Sequence, residues 1–93
     1  KSKNLAPPPL HWTAPKVALV ELLYAIQASG ACNDGKTTLK ELITSFENNF
    51  QINLGQYSKT YLEIRSRKAI EKTQFLDQLK KDLLEKIDQT DNK

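Results

Sequence analysis

The sequence predicts an all-α fold, a small bundle of about four helices with a helix-turn-helix-like pair inside it. Three observations predict it. Apolar residues recur at three- and four-residue spacing in four separate segments, the period of a helix with a buried face. Thr, Asn, Pro and Gly stand between those segments, where helices start and stop. No stretch alternates apolar and polar residues as a half-buried strand does, and no segment repeats another.

Residues 1–10 read as a proline-rich linker, since Pro7-Pro8-Pro9 favours an extended polyproline II spacer. The chain has no methionine and opens Lys1-Ser2-Lys3-Asn4, which predicts a piece of a longer protein with another domain upstream. A helical domain is expected over residues 11–89. Fraying is expected from Asp88, with residues 90–93 as a loose tail.

The first helix is expected to begin near Pro15, which a first turn tolerates because its missing N–H has no partner there; Thr13 is the candidate cap. From Val17 to Gln27 it is apolar on nearly every face, which predicts the buried centre of the domain. Gly30 suits the left-handed position that ends a helix, and Asn33-Asp34-Gly35 is a turn. Thr38 and Glu41 have the spacing of a capping box at the start of the second helix. Leu39, Leu42, Ile43, Phe46 and Phe50 form its stripe. After a break at Gln51-Ile52-Asn53, Asn53 is the candidate cap of a third helix, with Leu54, Tyr57, Tyr61 and Ile64 toward the core. Residues 65–72 are basic and lose the stripe. Thr73 is expected to cap a fourth helix that packs across the others and buries Leu76, Leu79, Leu83 and Ile87.

With 93 residues, 39% hydrophobic and 27% charged, the chain matches one soluble domain with one modest core. Little room remains for a deep catalytic cleft. Val17 to Ile26 is the longest apolar stretch; it is broken by Glu21 and too short to span a bilayer. One cysteine, Cys32, cannot form an internal disulfide, so a reducing, cytoplasmic setting is expected. One histidine, His11, and that cysteine cannot build a structural zinc site. Trp12 is expected to close one end of the core. Glu47 and Glu63 fall on polar helical faces, with nothing to mark them as a catalytic pair. Gly30 to Thr37 matches the phosphate-loop string G-x-x-x-x-G-K-T, but a helix and not a strand precedes it, so the match reads as coincidence. No enzyme activity, cofactor or metal is expected.

Charge placement says more. Residues 54–73 hold Lys59, Arg65, Arg67, Lys68 and Lys72 against Glu63 and Glu71, which accounts for the whole net charge of +3. Gln56, Ser58, Lys59, Glu63, Ser66 and Arg67 avoid the apolar stripe and are expected to face solvent. A basic outer face on the helix after a break suits phosphates and base edges of double-stranded DNA. Basic residues at a helix C-terminus are also favoured by the helix dipole alone, so a helical protein–protein interaction module is the competing reading. Salt dependence separates the two.

Several segments also resemble the C-terminal domain of RteC-family proteins: residues 11–25, from His11-Trp12-Thr13 to Leu23-Tyr24-Ala25; Ala28-Ser29-Gly30-Ala31; Phe46-Glu47; residues 53–68; and residues 73–79. The resemblance spans roughly residues 11–85. It implies a transcriptional regulator of excision and transfer of tetracycline-resistance conjugative elements, with a helix-turn-helix-like DNA-binding half. One departure is visible: Lys72, preceded by Glu71, stands where the family pattern has arginine, which keeps the charge and loses bidentate contact. On this reading Gln56, Tyr57, Ser58 and Lys59 contact base edges or phosphates, and Arg65, Arg67, Lys68 and Lys72 neutralise phosphates. A homodimer, formed through the longer protein, is a further expectation.

Overall fold

In the computed structural model, which describes residues 8–91, the elements run α1 (Lys16–Ser29), α2 (Leu39–Phe50), α3 (Tyr57–Arg65) and α4 (Gln74–Asp91). Single 3-10 turns lie at Asn33–Gly35 and Ala69–Glu71, and the described residues contain no strand. The all-α fold class is therefore as expected. Most of the proline-rich segment falls outside the described residues.

α1 is the hub. Leu19 and Leu23 are fully buried, and Ala18 and Val20 nearly so. α2, α3 and α4 each pack on α1 and make few contacts with one another. An all-round apolar sequence leads to this position because each face of α1 then meets a neighbour. α2 contributes Leu42 and Ile43, the loop after it Leu54, and α3 Ile64. Tyr24 and Tyr61 stack with ring centroids 3.9 Å apart, joining α1 to α3.

The ends of the first two helices follow local chemistry. Gly30 closes α1 at φ 72°, and its N–H donates to the Gln27 carbonyl. At α2, Thr38 Oγ1 accepts from the Glu41 N–H at 3.1 Å, and Glu41 Oε1 accepts from the Thr38 N–H at 3.0 Å. Thr38→Ala is expected to cost about 1 kcal/mol, read as a shift of the urea midpoint with unchanged slope.

Thr13 does not cap α1. Pro15 is the N-cap residue and makes no side-chain cap. The preceding segment is fixed instead by Trp12, whose indole N–H donates to the Pro15 carbonyl at 3.0 Å. The Trp12 backbone N–H reaches the Phe50 carbonyl at 3.2 Å. The Trp12 ring stands edge-on to both Phe50 and Phe75, each at 5.7 Å, closing the end of the core where α2 finishes and α4 starts.

α3 begins at Tyr57 and not beside Asn53. Glu47 Oε2 accepts the Leu54 N–H at 2.8 Å and pins the loop, while Asn53 Oδ1 accepts the Gly55 N–H at 2.7 Å. Gly55 sits at φ 58°, which a right-handed helix cannot hold. Glu47 is thus half-buried and structural, not a solvated side chain.

The fourth helix departs most from expectation. Only Phe75 and Leu76, in its first turn, are half-buried; no residue of α4 is buried. Leu79, Leu83 and Ile87 are 40%, 58% and 46% exposed. The helix leaves the bundle after its first turn instead of lying across it, and it stays helical through Asp91 where fraying was expected. This raises the radius of gyration to 15.8 Å, against about 12 Å for a compact domain of this length.

Candidate nucleic-acid interface

The residues singled out by charge lie on α3 and the turn that follows it. Gln56 precedes the helix, Tyr57, Ser58 and Lys59 form its first turn, and Arg65 ends it. Arg67, Lys68 and Lys72 lie in the connection to α4. Successive helical residues are about 100° apart. Tyr57, Tyr61 and Ile64 therefore share the inward side, and Ser58, Lys59, Leu62 and Glu63 the outward side.

Solvent exposure follows this division. Gln56, Ser58, Lys59, Arg65, Lys68 and Lys72 are exposed, and none of these four cations is paired with a carboxylate among the described residues. Tyr57 packs against the core, so only part of its ring is available to a ligand. The Tyr24 phenol is pushed above its ordinary pKa, first by burial, with the neighbouring Ser58 hydroxyl opposing the rise.

Arg67 is the exception among the cations expected to face solvent. Its Nη1 lies 3.5 Å from Glu21 Oε1 and donates to the Glu71 carbonyl at 3.3 Å. Glu21 itself is 6% exposed, and its Oε2 accepts the Leu76 N–H at 2.9 Å. One carboxylate on α1 thus holds both the basic turn and the first turn of α4. It also takes the capping place expected of Thr73, whose hydroxyl instead lies 3.2 Å from Asp77 Oδ2. The reason is electrostatic: a carboxylate on a fully packed helix must find donors, and a guanidinium and an open helix N-terminus supply them.

Sequence reasoning missed two residues. Glu21 carried a signal, since it is the one charge within the apolar run of a helix expected to be buried all round. Leu62 carried another, an apolar residue off the stripe, and it stands 54% exposed on the outer side of α3.

The connection between α2 and α3 covers residues 51–56, longer than the three- or four-residue turn of the compact helix-turn-helix. The two helices are fixed relative to each other through α1 and through the Glu47–Leu54 bond. At nine residues, α3 is about 13 Å long.

The phosphate-loop string forms the tight link between α1 and α2. Cβ atoms built on Gly30 and Gly35 would meet the other glycine's Cα at 3.5 and 3.6 Å, so the loop is folded on itself. A helix, not a strand, leads into it. Among the described residues, no group of three or more His, Cys, Asp or Glu side chains is placed to hold a metal ion, and no helix is long and apolar enough to cross a membrane.

No curated protein and no solved structure matches the chain. A family model described as RteC protein matches residues 1–91, nearly its whole length. The chain belongs to the RteC family.

Proposed function

We propose that this chain is a DNA-binding module of a transcriptional regulator, acting on excision and transfer functions of a conjugative element. Membership of the RteC family supports the regulatory role. One observation carries the DNA reading: the part of the chain holding all of the net positive charge leaves Lys59, Arg65, Lys68 and Lys72 exposed and unpaired on α3 and its following turn.

In this reading the outer side of α3 enters the major groove. Lys59 meets a phosphate or a guanine edge, and Gln56 and Ser58 offer further hydrogen bonds. Leu62 offers apolar contact of the kind that a thymine methyl group accepts, and Glu63 can accept from a cytosine amino group. Arg65, Lys68 and Lys72 neutralise phosphates. Arg67 acts at one remove, by holding the basic turn against Glu21.

The test is fluorescence anisotropy of the chain with labelled random-sequence duplex at two salt concentrations. Binding that falls as salt rises, and weakens about fivefold in Lys59→Ala at fixed salt, supports the reading. Absence of binding at low salt, or unchanged affinity in Lys59→Ala, overturns the assignment of α3 as the DNA-facing element.

A further inference from the structure

The outlying part of α4 carries an apolar stripe with no cover. Leu79, Leu83 and Ile87 follow one another at four-residue steps, with Leu84 beside them, and they are 40%, 58%, 46% and 55% exposed. The helix meets the bundle at its N-terminal end, through Phe75 and Leu76, and every described residue of it beyond Leu76 is exposed. Single exposed leucines need no explanation, but four on one side of a projecting 18-residue helix form a contiguous strip.

We propose that this strip pairs with the same strip of a second copy, in an antiparallel helix pair centred on Leu83. The inference does not depend on the DNA reading. Two properties select a second copy as occupant.

The first is self-complementarity. In an antiparallel pair about Leu83, each Leu79 lies opposite the other copy's Ile87, and Leu83 meets Leu83, so apolar residues meet apolar residues throughout. Side chains on one flank of such a pair face the same flank of the other copy. On one flank this brings each Lys86 within a turn of the second copy's Asp82, which offsets the equally close approach of the two Asp82 carboxylates. On the other it lays the aliphatic stem of Lys80 over the second copy's Leu84. Each bundle is attached at the N-terminal end of its own α4, so the two lie toward opposite ends of the pair.

The second is area. The four side chains offer on the order of 400 Å² per copy, or on the order of 800 Å² for the pair. With Lys80, Asp82 and Lys86 included, the interface approaches the roughly 1,200 Å² at which specific interfaces begin. The pair is therefore a concentration-dependent dimer and not an obligate one.

The experiment is sedimentation equilibrium of the 93-residue chain over a range of concentrations, with far-UV circular dichroism to verify the fold of each variant. The mass is expected to rise from 10.6 kDa toward twice that value. Leu83→Asp is expected to weaken association by at least about 30-fold with the helical signal kept, because Leu83 has no role in the bundle. Lys86→Asp alone is expected to weaken it, and Asp82→Lys combined with Lys86→Asp to restore it. A monomer at every concentration overturns the proposal. So does a dimer indifferent to Leu83→Asp, and a dimer that the charge exchange does not restore overturns the antiparallel register.

Discussion

Replacing Glu21 by alanine is expected to destabilise the domain by about 3 kcal/mol. The side chain is 4% exposed and serves two donors, Arg67 Nη1 and the Leu76 N–H. Removing one partner of a buried pair costs roughly 3–5 kcal/mol, and loss of a helix cap about 1 kcal/mol. Arg67, at 19% exposure, recovers part of this by turning toward water, which brings the sum down. For a domain of this size the change lowers Tm by at least about 10 °C, measured by thermal melting at 222 nm. Glu21→Gln keeps an acceptor for the Leu76 N–H and loses the charge attraction, so its effect is expected to be smaller. A Glu21→Ala variant within about 0.5 kcal/mol of the parent chain would show that the carboxylate holds neither element.

Removing four cations together gives the largest expected effect on binding. Lys59, Arg65, Lys68 and Lys72 are exposed, so changing all four to alanine leaves the core in place. Each phosphate neutralised contributes about 0.9 to the slope of log K against log salt. With four contacts the parent chain is expected to lose about 10²-fold in affinity between 50 and 200 mM salt. The quadruple variant is expected to bind weakly even at the lower salt, with a nearly flat dependence. A steep slope that survives the four substitutions would move the anion-binding surface elsewhere. Arg67 is left out because its substitution also releases Glu21, and lost folding would then be mistaken for lost binding.

The two cases show which parts of the structure were legible in the sequence. Gly30 and the Thr38–Glu41 box were legible because their partners lie within a turn of them. The hub position of α1 was legible because a helix apolar on every face has nowhere else to go. The Glu21 cap was not: its donors lie 46 and 55 residues away, and spacing along one helix says nothing of them. The start of α3 was misplaced for a related reason. Asn53 has the chemistry of a cap, but the seven-residue reach of Glu47 to the Leu54 N–H and the left-handed Gly55 determine the turn. In α4 the stripe itself was legible and its burial was not, because periodicity identifies an apolar side without identifying what covers it. Among the cations of the candidate interface, exposure matched the pattern at Lys59, Arg65, Lys68 and Lys72 and failed at Arg67, where a buried carboxylate outcompetes water.

The place of Trp12 gives the molecule a built-in optical gauge. It is the sole tryptophan, and its ring sits between Phe50 at the end of α2 and Phe75 at the start of α4. Emission excited at 295 nm therefore comes from one seam, the one along which α4 is moored. Release of that mooring brings water to the indole and shifts its emission to the red, while α1 and α2 keep their far-ultraviolet signal. Any gap between the fluorescence and circular dichroism transitions then measures how far α4 lets go before the rest of the domain unfolds.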